Sequence, residues 1–473
     1  MVWKLAEKLL CLMMHKINAA TIVKFMQKKR NNTIAAGLLF SLLITFDVYG
    51  QTVEVSVDEA LTIFYKRNLD LIAAQYNIDQ SKADEVIAAA IPNPTLSIQV
   101  LELANKPNMG STAHGCNSSP DVSCGVAQYY SFSQLIEVAG KRGLRMQSSG
   151  FATQAAESDF RDAVRIFSNM VRDAYFQLLQ TQKNHWLAQE IADHYKVIIE
   201  ANSLRLKKGD ISESDFLRVK MEAMRAQSDL DSAQTAVEQA QAGLAVILRW
   251  PDNSLKFEAK EQWPVITDIG QHLSADELMN KALQQRPDLQ GDKQRAAQAE
   301  KELELARRLK YPDVTVNAGY ARDPSNNNLN SFFVGLNVPV PLFYQYQGEA
   351  DKAAVNLNQS RVAVEQTELG IRNDVVSALS TWNSSDKIVQ RFQEGLLDDA
   401  RSVRDSSELA YSKGATSVLD FIEAQRSYKN VMRDYYEAVI NRANAYYDFA
   451  KSLGIEPNAE KTSDNNVNQA DSK

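Results

Sequence analysis

"KGDISESDFLRVKMEA" at residues 208–223 returns as "KGATSVLDFIEAQRSY" at 413–428, placing Gly209 on Gly414, Ser212 on Ser417, Asp215 on Asp420 and Phe216 on Phe421. Each copy follows a long proline-free stretch and sets a glycine ahead of a Ser-x-x-Asp helix start. Each therefore reads as a tight turn between two long helices. A duplicated turn predicts a duplicated chain. Further out, "VDEALTIFYKRNLDL" (57–71) lies over "ADELMNKALQQRPDL" (275–289) through Asp58/Asp276, Glu59/Glu277, Asp70/Asp288 and Leu71/Leu289. The same shift carries Pro94 onto Pro312, and Leu248 falls on Leu453 near the end of each half. Self-similarity on this scale marks a structural repeat.

Each unit reads helix, strand, loop, strand, long helix, tight turn, helix. Leu96, Ile98 and Val100 alternate with polar neighbours, as do Val314, Val316, Ala318 and Tyr320. Phe332, Val334, Leu336, Val338, Val340 and Leu342 carry the same period of two as far as residue 342. Two hairpins supply four strands, too few to close a barrel, so several chains must contribute to a symmetric ring. Arg145–Leu206 and Gly348–Tyr411 read as unbroken helices, and at about 1.5 Å per residue each spans roughly 90 Å. Ala223, Ala226, Ala233, Ala236 and Ala240 after the first turn favour close antiparallel packing. A plain periplasmic coiled coil is the structural competitor, and it leaves the alternating strands unexplained.

The N-terminus reads as an export signal. Lys28, Lys29 and Arg30 precede the apolar run Ile34–Ile44, and "DVYG" precedes Gln51. Residues 1–50 are expected to be a signal peptide cleaved after Gly50, the alternative being an anchor retained uncleaved. Residues 1–25 read as an upstream extension, since Met26 gives the more usual signal length. The mature chain divides into a first repeat (51–260), a second (261–456) and a disordered polar tail (457–473). Nothing later approaches the roughly 18 to 20 apolar residues of a spanning helix, so a membrane crossing has to use closed β-structure.

The net charge of −7 over 473 residues argues against a nucleic-acid partner and is compatible with a cation-passing lumen. Of three cysteines, Cys11 lies in the signal region, while Cys116 and Cys124 share the polar loop "HGCNSSPDVSC". A loop-closing disulfide is expected there, over a metal site with His114 whose ligand spacing matches no standard set. "AGKRG" at 139–143 lacks the upstream glycine of a phosphate loop, and neither GxSxG nor HExxH occurs. With no His-rich or Met-rich run either, no catalytic residue, cofactor or metal site is expected. His185 and His194 read as surface or packing residues. Lys141, Arg142 and Arg145 are expected to be solvated at a membrane boundary, with lipid headgroup contact as the alternative. Tyr129, Tyr130, Phe132, Phe332 and Phe333 suit an interfacial girdle.

With "NPTLSI" (93–98), "QLIEVAGKR" (134–142), "RPDL" (286–289), "VPVPLF" (338–343) and the two "KG" turns in hand, the chain resembles the TolC-like outer-membrane efflux protein family, and within it the CzcC-type heavy-metal branch. The resemblance covers about residues 55–455. It implies a mixed fold, a membrane β-barrel plus a long α-helical barrel, made from the duplicated helix-strand-strand-helix-helix unit and closed by homotrimerisation. It also implies contact with outer-membrane lipid, docking to a periplasmic membrane-fusion adaptor protein, and an inner-membrane RND pump driven by the proton gradient. The expected function is a passive conduit for divalent heavy-metal cations. Drugs, small organic molecules or secreted polypeptide are the alternative cargo. Many relatives carry a lipidated N-terminal cysteine, whereas Gln51 follows the cleavage site here, so lipid anchoring is not expected. The first hairpin loop, 106–127, is longer than the second, 323–330.

Ser212 and Ser417 read as N-caps with Asp215 and Asp420 in the first turn, and Gly209 and Gly414 set the turn geometry. Capping accounts for both aspartates. It does not account for Glu423, nor for Arg218 at the matching place in the first unit. Asp420 and Glu423 share a helix face and, repeated round a symmetric ring, would form a ring of acids. The resemblance places the second turn at a closed periplasmic entrance and assigns Asp215 and Arg218 to the inter-helix links that hold it shut.

Overall fold

The computed structural model describes residues 52–102, 126–250, 256–264, 266, 269–270, 272–323 and 329–456. The expected signal peptide, the expected polar tail, His114 and the expected Cys116–Cys124 disulfide lie outside them. The main body comprises Val53–Asn253 and Phe257 onward, and of a small separate cluster only Thr52 and Lys256 are described.

The described residues open with β1 (Thr52–Val55), α1 (Val57–Arg67) and α2 (Leu69–Ala89), then a hairpin of β2 (Thr95–Glu102) and β3 (Val126–Ile136). α3 (Lys141–Lys208) and α4 (Glu213–Ile247) complete the first pass. After β4 (Lys256–Ala259) the order recurs as α5 (Ala275–Gln285), α6 (Pro287–Arg308), β5 (Val314–Asp323) and β6 (Leu329–Asn337). α7 (Gln347–Arg391), a π turn (Phe392–Leu396), α8 (Leu397–Ser412) and α9 (Val418–Ser452) follow. β1 and β4 pair in a two-stranded sheet that the sequence pattern did not announce.

The repeated acidic pairs have a local cause. Ser56 and Glu59 form a capping box at α1, Ser274 and Glu277 the same box at α5, and each glutamate accepts the cap's own N–H, at 2.7 and 2.8 Å. The copies part at the next joint. Asn68 caps α2 by accepting the Leu71 N–H, whereas its counterpart Arg286 has Pro287 after it and forms ion pairs with Asp288 (2.6 Å) and Asp374 (2.7 Å). Burial raises the Asp288 carboxyl pKa, and the Arg286 hydrogen bonds outweigh it, leaving the net value low. Beside this joint Phe64, Tyr175, Phe176, Trp382, Tyr446 and Phe449 are buried in the main core. Leu248 and Leu453 are both fully buried where the returning helices end.

The four longer strands form one antiparallel sheet ordered β2-β3-β5-β6. Cross-strand rows Ile98–Tyr130–Tyr320–Phe332 and Leu96–Phe132–Ala318–Val334 fall on one face, and Leu96, Ile98, Phe132, Phe332 and Val334 are exposed there. The opposite face carries Thr95–Ser133–Asn317–Gly335 and Ser97–Ser131–Gly319–Phe333. Pleat parity therefore divides the expected girdle: Tyr130, Phe132 and Phe332 lie on the apolar face, Tyr129 and Phe333 on the polar one. Gly319 makes room for the Phe333 ring, which would lie 2.4 Å from a Cβ there. β6 stops at Asn337 rather than running to Leu342, because Pro339 and Pro341 have no N–H to extend the ladder.

Of the basic residues after β3, Lys141 is buried, while Arg142 and Arg145 are half-buried. Lys141 is only 5% exposed; its Nζ donates to the Tyr311 carbonyl (2.5 Å) and to Asp313 (3.0 Å), which also accepts the Val138 N–H. Arg142 donates to the Ala89 carbonyl at 2.7 Å, and Arg145 forms a two-pronged pair with Glu137. Together they tie the β3-to-α3 junction to the α2-to-β2 and α6-to-β5 junctions.

α3 runs unbroken for 68 residues, roughly 100 Å at 1.5 Å per residue. Its counterpart is broken at the π turn, where Gly395 takes φ 137°. Among the described residues no helix is long and apolar enough to cross a membrane.

Candidate functional site

The two turns close with one geometry. Gly209 and Gly414 sit in the left-handed region, at φ 78° and 73°. Their N–H groups donate to the Leu206 and Tyr411 carbonyls, while the next residues, Asp210 and Ala415, reach back to Arg205 and Ala410. This double closure needs positive φ at its centre, which glycine supplies without steric cost. Beyond it Ser212 and Ser417 accept the Asp215 and Asp420 N–H groups, both at 3.1 Å, and donate back to those carboxylates at 2.7 and 2.8 Å.

Asp420 also accepts from Thr416 at 3.1 Å, a bond without a counterpart at Asp215. Hydrogen bonds from Ser417 and Thr416 hold the Asp420 carboxyl below the usual carboxylate range. Glu423 is exposed, and among the described residues no hydrogen bond or ion pair of its own protomer reaches it. Arg218 is likewise exposed and unengaged. Within the protomer the Asp215 carboxylate accepts from the Ser212 cap, and among the described residues neither Asp215 nor Arg218 makes a hydrogen bond or ion pair to another helix.

Both turns lie at one end of the molecule. Arg205 donates to the Tyr411 carbonyl (3.2 Å) with its guanidinium 5.2 Å from that ring, and the Tyr411 hydroxyl donates to Asn202 at 3.2 Å. Tyr411 stacks on Phe421 at 4.8 Å and 15°. The ring thus joins the end of α3 to the start of α9, beside buried Val219, Val418 and Ile422.

The links between the two returning helices lie farther along. Arg426 of α9 grips Glu222 of α4 through two bonds, at 2.5 and 3.2 Å, and Lys429 reaches Asp229 at 2.8 Å. The Glu222 hydrogen bonds raise the Arg426 pKa, and Glu423 adds a smaller charge effect in the same direction. Beneath them lies a cavity of about 210 Å³ lined by Leu187, Ile191, Asp229, Ala233, Lys429 and Arg433. Burial, then the Glu222 charge, pushes the Tyr195 hydroxyl up to about 12. Sequence reasoning passed over these four residues. Their signal was two acids on the first returning helix facing two bases on the second, which only the lateral placement of α4 against α9 brings together. His194 packs between α3 and the second unit, with Nε2 2.9 Å from Glu408 and 3.4 Å from Gln425.

Among the described residues no group of three His, Cys, Asp or Glu side chains is placed to hold a metal ion. The arrangement is a capped turn displaying one exposed carboxylate, with ion-paired helices behind it.

A model of the family described as outer membrane efflux protein matches residues 62–248 and 278–455. The chain is 24% identical over 391 residues to the cobalt-zinc-cadmium resistance protein CzcC of Cupriavidus metallidurans, covering 81% of this chain and 88% of that one. It is 21% identical to the pyoverdine export outer membrane protein OpmQ of Pseudomonas aeruginosa, covering 81% and 82%. Its fold is similar to the crystal structures of CusC that follow folding and transmembrane channel formation, with TM-score 0.70 at 18% identity over 86% of this chain and 93% of that one.

Proposed function

The chain belongs to the outer membrane efflux protein family, and from that premise we propose that it is the passive outer-membrane channel of a tripartite efflux system exporting divalent heavy-metal cations. The family consists of outer-membrane channel proteins whose helical part stands in the periplasm. The observation that carries the cation reading is the exposed Glu423, which no hydrogen bond or ion pair among the described residues reaches, beside Asp420 bonded to the Ser417 cap, at the turn whose counterpart presents Arg218. The resemblance to the cobalt-zinc-cadmium resistance protein supports metal as cargo.

A trimer supports both halves of this reading. β2 and β6 are sheet edges, and lipid leaves unpaired backbone unsatisfied, so three four-stranded sheets joined edge to edge give twelve strands, within the range of known barrels. Val355, Val362, Leu369 and Val376 recur every seven residues as an exposed stripe on α7, a seam fitted to a neighbouring helix. In the ring the second turns close the periplasmic entrance, with three copies of Glu423 repelling one another unless a cation or partner intervenes. The Arg426–Glu222 and Lys429–Asp229 pairs hold the second unit's tip against the first. A periplasmic adaptor that breaks them lets the tips part, and cargo delivered by an inner-membrane RND pump enters. The polar sheet face supplies a lumen lined by Ser, Thr, Asn and Gln side chains.

The similarity to a pyoverdine export protein favours the alternative cargo, a drug or other small organic molecule. A strain lacking the protein, tested against zinc, cobalt, cadmium, nickel and copper beside a panel of drugs, decides between them. Sensitisation to one or more divalent metals with unchanged drug tolerance is expected, and the reverse pattern refutes metal cargo.

A further inference from the structure

The helices leading into the two turns differ in a way the turns do not. α3 is continuous, whereas α7 and α8 are separated by a π turn in which the Leu397 N–H reaches the Phe392 carbonyl and Gly395 adopts φ 137°, ψ −18°. A π turn widens the helix locally, weakens its bonding and is a recognised site of kinks. A Cβ at Gly395 would meet nothing within 4 Å, so the glycine answers to the backbone conformation and not to crowding. Gly370, in the middle of α7, also has open space around it but keeps an ordinary helical backbone.

Below the π turn, α8 is lightly held. Of its 16 residues only Tyr411, at the far end, is buried. Leu397 and Ala400 pack only partly buried against the cluster around Leu187 and Ile191, and its polar links to α3 are partly exposed, Arg404 to Glu190 at 3.4 Å and Glu408 to His194 at 2.9 Å. Sparse apolar burial between a flexible turn and a glycine turn is the pattern of a segment with low local stability. At its lower end Tyr411 stacks on Phe421, and Ser407 donates to the Asp420 carbonyl at 3.5 Å, so movement of α8 is passed to the start of α9.

We propose that the Phe392–Leu396 turn is a hinge, on which α8 swings away from α3 as a lever and carries the Asp420–Glu423 end of α9 with it. The value of that movement rests on the gate reading; the hinge itself does not. The continuous α3 supplies a fixed post against which the second unit's tip moves, so opening is confined to one of the two copies.

Hydrogen–deuterium exchange of the full-length assembled protein in detergent tests it. After correction for intrinsic rates, amides 396–405 are expected to exchange at least about tenfold faster than amides 190–199 of α3. Because alanine disfavours the Gly395 backbone and favours continuous helix, Gly395→Ala is expected to bring that ratio within about threefold, while Gly370→Ala leaves it unchanged. Equal rates in the unaltered protein, or a ratio that Gly395→Ala leaves unchanged or enlarges, overturn the hinge. Neither result depends on channel current, so the hinge fails here and the acidic gate fails only in conductance.

Discussion

The two returning helices begin alike and then present opposite charges. Both follow a glycine at positive φ, both are capped by a serine bonded to the aspartate three residues on, and three residues later the first copy shows Arg218 and the second Glu423. The same contrast appears elsewhere. Asn68 is a simple cap where Arg286 is a buried ionic clamp, and α3 is continuous where its counterpart bends at Gly395. Duplication supplied two copies of a geometry; the buried ionic clamp, the π turn and the exposed glutamate all fall in the second.

The largest effect that could break this contrast lies at the joints. Arg286→Ala leaves Asp288 and Asp374 without their buried partner and is expected to cost about 3 kcal/mol in denaturant unfolding. The exposed Arg249–Asp70 pair of the first unit, at 3.5 Å, is expected to change stability by less than about 0.5 kcal/mol when Arg249 becomes alanine. Equal costs would erase the distinction between the joints.

Next comes the cross-link between the copies. Glu222→Ala releases Arg426, and a link worth about 1 kcal/mol corresponds to roughly a fivefold rise in the ratio of open to closed channels, read as mean current in planar bilayers. Arg225→Ala, which removes only a same-helix neighbour of Glu222, is expected to leave the current near the unaltered level.

The caps should behave as equals. Ser212→Ala and Ser417→Ala are each expected to cost about 1 kcal/mol, agreeing within a few tenths, since their bonds to the N3 amide have the same length. A large disparity in unfolding would mean that the second cap carries more than helix geometry. The smallest effect is on pH. The Asp420 carboxyl titrates below the usual carboxylate range, so its stabilisation is complete above the unfolded-state pKa and is lost as pH falls through the lower folded value. Amides 418–424 are therefore expected to stay protected at neutral pH and to lose protection only in acid more extreme than that which titrates a free aspartate.

Much of this was legible because local chemistry repeats with local geometry. Glycine before Ser-x-x-Asp marks a turn in any context, and alternation assigns strand faces wherever both faces have different surroundings. Three features escaped for reasons equally physical. Gly395 lies in a proline-free helical pattern, and side-chain periodicity does not distinguish an α turn from a single π turn. The β1–β4 pairing joins segments about 200 residues apart, each only four residues long. The Glu222–Arg426 pair depends on which helices lie side by side, which no single helix records. Lys141 misled in the opposite direction, since a lysine near a membrane boundary reads as solvated until the carbonyl of Tyr311 is found against it.

The contrast between the turns is tested most directly by single-channel conductance with divalent cations on either side of the membrane. If the second turn is the acidic gate, Asp420→Ala with Glu423→Ala abolishes block by divalent cations and raises conductance, while Arg218→Ala leaves both as they were. Unchanged conductance and unchanged cation block in the double variant would contradict the acidic gate.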